Sequence, residues 1–193
     1  MRSSEILEGL IDLFLVEGFS RFSLGDLATH LQCSKSTLYG VAPSKEQLIT
    51  AVVRAFFRRS TDRVEARLTE ESNPVARIGT YLEGISTELS PASTIFFHDL
   101  GEFAPAREIY LHNTAIAARR VQELVTAAAT GDDHLDAAFI GAVAGAVMEA
   151  IQRGEIETTT SLNDAAAYRM LGDLIVAGVA GVAGARQTKR NRP

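Results

Sequence analysis

Ile6, Leu10, Leu13 and Phe14 recur at three- and four-residue spacing, while Glu5, Glu8, Asp12 and Glu17 lie mostly off that face. The spacing predicts an amphipathic helix. Gly18 ends it as the left-handed residue beyond the last turn, after which Phe19 and Phe22 fold back onto the core. Ser23 with Asp26 makes a capping-box-like start, Asp standing in for the usual Glu or Gln, to a two-turn helix that buries Leu24, Leu27, Ala28 and Leu31. Beyond Gln32 and Cys33, Ser34 caps a third helix, Lys35 to Tyr39, with Leu38 facing inward. Gly40 to Pro43 interrupts the pattern. Ser44 and Gln47 then open a longer helix through Leu48, Val52, Ala55 and Phe56 to about Leu68.

The rest of the chain also reads as helical. Pro74 starts a helix to about Leu89, and the prolines at 91 and 105 bracket short helical turns or a bend. A long helix follows Pro105, carrying Ile109, Ile116, Val121 and Leu124 to about Ala129, and Thr130–Asp133 interrupts it. Leu135, Phe139, Val143 and Val147 define a helix to about Arg153, and another runs from about Ala165 to Gly178. Residues 186–193 offer no apolar face and predict a disordered tail. With no strand pattern anywhere, the expected fold is all-α. An N-terminal three-helix bundle with a helix-turn-helix (1–45) precedes a larger helical regulatory and dimerisation domain (46–185).

At 193 residues, 46% of them hydrophobic and 22% charged, the chain can bury a substantial core. Cys33 has no second cysteine to pair with and no metal-binding spacing around it, which suits a reducing compartment. Acidic residues inside the first apolar pattern are unlike a signal peptide, and the apolar segment 171–185 is short for a membrane span and contains Asp173. A cytoplasmic protein without a membrane partner is expected. The net charge of −5 divides unevenly: residues 1–67 carry nine Lys/Arg against eight Asp/Glu, a sum of +1, leaving −6 for 68–193. DNA binding, if present, rests on local charge placement.

That placement falls on the third helix. In a helix-turn-helix the second helix enters the major groove with its N-terminal residues foremost. Lys35 can donate to guanine or phosphate, Ser34, Ser36 and Thr37 can hydrogen-bond to either, and Tyr39 brings a phenol to the groove wall. Lys45 sits in the first turn of its helix, where the dipole disfavours a cation, and a phosphate would resolve that conflict.

The N-terminal 50 residues resemble the TetR family of one-component transcriptional regulators. FLVEGF at 14–19, SLGDLA at 23–28 and QCSKSTLYGVAPSKEQL at 32–48 follow the family's pattern of apolar helix, first helix of the motif, recognition helix and S-K-E element. By position, the resemblance implies a recognition helix at Ser34–Tyr39 and a phosphate-contacting lysine at Lys45. Gly40, Val41 and Ala42 depart from it where the family commonly carries an aromatic or histidine and then a phenylalanine, which implies weaker affinity or a shifted recognition helix.

One such module reads few base pairs, so a homodimer on palindromic double-stranded operator DNA is expected. The resemblance implies a four-helix interface from the last two helices, with Gly141 and Gly145 allowing close contact and Leu171, Leu174 and Ile175 lining the final helix. A ligand-responsive repressor would need an effector pocket. Its apolar wall would draw on Phe96, Phe97, Phe103, Tyr110, Ile116 and Phe139, its polar anchors on His98, His112, Asn113 and Arg119. His98, Asp99, Glu102 and His112 match no compact metal motif, and the scattered histidines (30, 98, 112, 134) suggest no catalytic group, so neither metal, cofactor nor enzymatic activity is expected. The competing expectation is a helical interaction or scaffold protein with weakened or lost DNA binding.

Overall fold

The computed structural model of the chain describes residues 3–128 and 137–190. Among them are ten helices and no strand: α1 (Ser3–Glu17), α2 (Leu24–His30), α3 (Lys35–Tyr39), α4 (Lys45–Glu70), α5 (Pro74–Leu89), α6 (Thr94–Glu102), α7 (Ala104–Ala128), α8 (Ala137–Gln152), α9 (Glu155–Thr160) and α10 (Asp164–Arg190). The interruption expected at Thr130–Asp133, together with His134 and Leu135, lies outside the described residues.

The helices group into two compact units, each drawn from two stretches of chain: Met1–Thr61 with Pro91–His112, and Asp62–Ser90 with Asn113–Pro193. The expected division at 45/46 therefore falls at the start of α4, inside the first unit. Helix α6 and the start of α7, expected in the regulatory part, also belong to that first unit.

In the first unit the core is aromatic. Phe19 meets Phe14 at 5.5 Å between ring centroids, Phe96 at 6.3 Å and Phe103 at 6.1 Å, and Phe56 meets Phe96 edge-on at 5.8 Å. Each such pair contributes about 0.5–1.5 kcal/mol beyond area burial. Leu10, Leu27, Leu38 and Leu48, one on each of α1 to α4, are fully buried. Leu24 and Leu31 are only half-buried, because Leu31 lies past the last turn of α2 as its cap.

In the second unit α5 packs along α10, where Gly172 leaves room for the Leu82 side chain. Arg120 forks onto the Glu65 carboxylate with bonds of 2.9 and 2.8 Å and also reaches Glu123 at 2.9 Å. Burial, with Glu65 nearby, pushes the Tyr81 phenol above its ordinary range, so it stays protonated.

Three expectations are corrected. The segment between Pro91 and Pro105, expected as short helical turns or a bend, is one continuous nine-residue helix, because both prolines fall outside it and Ser93 caps it through the Phe96 N–H (3.2 Å). Thr158, Thr159 and Thr160 look loop-forming, yet their hydroxyls bond back to carbonyls four residues earlier at 2.7–2.8 Å and sit in α9. Helix α10 runs to Arg190, four residues past the expected start of the tail at 186, since good helix formers with basic residues at a C-terminus need no apolar face to continue a helix already formed. Residues 191–193 lie outside the described part.

The turn from α2 to α3 closes by a Schellman pattern. Cys33 N–H bonds Ala28 C=O at 2.9 Å and Gln32 N–H bonds Thr29 C=O at 3.1 Å, which puts Gln32 at φ +50°. A side chain there is strained, whereas glycine is not. Gln32→Gly is therefore expected to raise stability by ~1 kcal/mol, read as a higher denaturant midpoint with unchanged slope.

Candidate nucleic-acid interface

The first helix of the motif is held by a complete capping box. Ser23 N–H donates to the Asp26 carboxylate at 2.8 Å and Asp26 N–H donates to the Ser23 hydroxyl at 3.2 Å. These two bonds satisfy amide donors that a seven-residue helix would otherwise leave to water.

Ser34 caps α3 through Thr37 N–H (3.1 Å), and its hydroxyl also lies 2.6 Å from the Ser36 hydroxyl and 2.8 Å from that of Thr37. A hydroxyl has one proton and two lone pairs. With one lone pair on the Thr37 amide, Ser34 must donate to one neighbour and accept from the other. Two of the three hydroxyl protons are consumed inside this cluster, and one remains to point outward. Ser34, Ser36, Lys35 and Tyr39 are exposed, and Thr37 is half-buried, so the structure brings five of the six predicted DNA-binding residues onto one five-residue helix and its cap. Leu38 anchors that helix with no exposure at all. Cys33 is half-buried in the turn.

The sixth residue, Lys45, resolves its conflict with the helix dipole within the chain. Its ammonium donates to the Ser20 carbonyl at 2.9 Å, which leaves two N–H donors for another acceptor. The same loop is gripped by an acidic residue that sequence reasoning considered only as a weak metal candidate. Asp99, from α6, accepts from Phe19 N–H at 2.6 Å and Ser20 N–H at 2.8 Å while itself 6% exposed. Nothing in the local sequence around Asp99 announces a partner 80 residues away.

Gly40 takes an ordinary right-handed helical conformation (φ −69°), so no glycine-specific backbone is needed there. Ala42 is buried, and its N–H and that of Val41 both bond the Leu38 carbonyl, closing the exit from α3 without an aromatic side chain.

The residues expected around an effector are distributed differently. Phe96, Phe97, Phe103 and Tyr110 belong to the aromatic cluster of the first unit, where Phe97 lies 5.8 Å from Phe96 and 6.2 Å from Tyr110, and Phe57 stacks on Tyr110. Phe96 is core, at 2% exposure. His98 and His112 are exposed. Arg119, Ile116 and Phe139, in the second unit, are exposed, and Asn113 there is half-buried. Among the described residues no three of His, Cys, Asp and Glu come together as metal ligands. No helix among them is long and apolar enough to cross a membrane.

Comparison with known proteins fits this geometry. Residues 6–52 match the model of the tetR family of bacterial regulatory proteins. Similar solved structures include a transcriptional regulator from Saccharomonospora viridis in complex with choline (15% identity, 90% of this chain and 94% of that one covered, TM-score 0.69). A TetR-family regulator from Streptomyces coelicolor aligns at 18% identity over 93% of this chain and 86% of its own, with TM-score 0.63. The regulator FadR from Bacillus subtilis, in complex with stearoyl-CoA, aligns at 10% identity over 92% and 99%, with TM-score 0.58. A search of curated proteins gives no match. The fold and motif define an all-helical chain with an N-terminal helix-turn-helix domain. Residues 6–52 thus form a domain of the kind found at the N-terminus of tetR-family regulatory proteins, and the chain as a whole shares the fold of the solved regulators.

The Ser23 hydroxyl and amide, which bond its carboxylate, hold Asp26 below the usual aspartate range, with Lys35 and Lys45 adding smaller attractions. A folded-state value below the unfolded one adds stability above the unfolded value, and that stability is lost as pH falls through the folded value. Wild type should therefore lose its margin over Asp26→Asn progressively as pH falls below the ordinary aspartate value of about 4. Thermal melts across that range check it.

Proposed function

We propose that this chain is a homodimeric repressor that occupies a palindromic operator and releases it when a small molecule binds the regulatory helices. The observation that carries the DNA-reading part is the clustered set of exposed Ser34, Lys35, Ser36 and Tyr39 with half-buried Thr37, on a helix pinned by Leu38 and followed by Lys45. Lys35 and Tyr39 supply a cation and a phenol, and the Ser36/Thr37 pair presents one outward hydroxyl proton and several acceptor lone pairs.

Dimerisation through α8 and α10 is supported by two exposed apolar pairs at helical spacing. Phe139 (66% exposed) and Val143 lie on α8, and Met170 and Leu174 (68%) lie on α10. The two helices also touch within the chain. Large apolar side chains left in water at this spacing suit a partner helix face. The residues expected to line this surface need revising. A Cβ on Gly141 would meet Gln122 at 2.7 Å and one on Gly145 would meet Ala118 at 3.3 Å, so both glycines serve packing of α8 on α7. Leu171 and Ile175 are buried inside the unit, which leaves Leu174 as the member of that trio facing outward.

The effector is a small molecule by likeness to two proteins of the same fold, one in complex with choline and one with stearoyl-CoA. Its binding would favour a state whose recognition helices no longer match half-sites about 34–36 Å apart. The scaffold alternative has only the Gly40–Ala42 departure behind it, and the closed exit from α3 removes that motive.

Operator competition with a Lys35→Ala/Tyr39→Ala double variant tests the reader. Each lost base or groove contact removes about 1–3 kcal/mol of discrimination, so specific affinity should fall at least about thirtyfold while binding to random duplex changes much less. Unchanged specific affinity would remove these residues from the interface.

A further inference from the structure

We infer that Asp99 is a positioning residue for operator binding, acting through Ser20 to aim the Lys45 ammonium. The inference rests on the reading of Lys45 as a phosphate contact. It begins with a buried carboxylate that packing alone does not explain. Asp99 is 6% exposed, yet its Oδ2 atom accepts from two consecutive amides, Phe19 at 2.6 Å and Ser20 at 2.8 Å. A buried carboxylate is costly unless hydrogen bonds compensate it, and charge-assisted bonds to amides are the strong kind.

The surrounding chain is shaped to admit this contact. Gly18 sits at φ +67°, and a Cβ there would lie 2.5 Å from Asp99 Oδ2 and 2.6 Å from Ile95. Only glycine satisfies both the backbone conformation and the space. A second bond, Ser93 N–H to Leu15 C=O at 2.8 Å, ties the start of α6 to the end of α1. Residues 19–22 then form a turn, in which Phe22 N–H reaches the Phe19 carbonyl at 3.4 Å. With the amide of Ser20 fixed by Asp99, its carbonyl accepts the Lys45 ammonium at 2.9 Å. Asp99, Ser20 and Lys45 are thus joined by two hydrogen bonds through one residue.

The tether decides how Lys45 meets DNA. A free lysine has four rotatable side-chain bonds and loses that freedom when it binds a phosphate. Lys45 has already lost it to Ser20, and two N–H donors remain for a phosphate oxygen. Releasing the loop from Asp99 lets the Ser20 carbonyl wander and Lys45 with it. The charge on Lys45 remains, but its place does not.

The test uses the full chain and a duplex selected from the source genome by the wild-type protein. Affinity is measured against salt for wild type, Asp99→Asn, Asp99→Ala, Lys45→Ala and the Asp99→Ala/Lys45→Ala pair. Asp99→Ala should weaken binding about tenfold and make the salt dependence shallower by about one released counterion per subunit, as Lys45→Ala does. Adding Lys45→Ala to Asp99→Ala should then cost less than about twofold more. Asp99→Asn keeps a neutral acceptor of the same shape and should fall between. It also carries the test should the alanine variant fail to fold by circular dichroism. A purely structural role lowers the melting temperature but leaves the salt slope of the folded protein unchanged, and that result, or full additivity with Lys45→Ala, would overturn the proposal. A wild-type chain that selects no duplex and binds without salt dependence would overturn the DNA reading itself, and the proposal with it.

Discussion

The crossing from α1 to α2 is the constraint on which the DNA-binding unit depends. The Gly18 N–H still bonds the Phe14 carbonyl of α1, but Phe19 and Ser20 beyond it carry amides that no helix satisfies. A single carboxylate from α6 takes both of those amides, and Lys45 at the start of α4 takes the following carbonyl. Remove the carboxylate and two buried or half-buried donors lose a partner, at a cost of about 1–3 kcal/mol each. The rings of Phe14, Phe19, Phe56 and Phe96 are buried and in contact with one another beside this crossing. They hold the elements together, and the polar contacts fix their register.

Local sequence carried a great deal of this fold. The bounds of α3 and α5, the left-handed Gly18, the Ser23–Asp26 box and the inward Leu38 are all set by residues within four positions of one another. Short-range rules suffice there. The features that escaped depend on distant partners or on side chains behaving against type. Asp99 finds its partners 79 and 80 residues away, and no period or motif encodes that distance. Gln32 adopts a conformation that its side chain disfavours because the Schellman bonds of the turn require it. The threonines of α9 satisfy their hydroxyls on their own helix, which composition alone reads as a loop.

The candidate site divides along the same line. The placement of the six residues proposed to face DNA was legible because a helix-turn-helix displays such residues by position, and capping chemistry fixes where the helix starts. The expected effector residues were drawn from composition, which cannot separate core from pocket wall. Phe96 is the clearest case, being fully engaged in ring contacts with Phe19, Phe56 and Phe97. The small residues of α8 were likewise ambiguous. Close helix contact is what glycine permits, and in this chain the contact at Gly141 and Gly145 is made with α7.

The proposal that this chain acts as a two-fold symmetric reader of DNA meets its most direct test in a selection experiment. Fragments of the source genome are bound by the purified chain, recovered at physiological salt and sequenced. The account predicts enrichment of one inverted repeat whose half-sites are centred about one helical turn, or a whole multiple of it, apart. Recovery of fragments with no shared sequence, or of a single unrepeated half-site bound by a monomer, would contradict it.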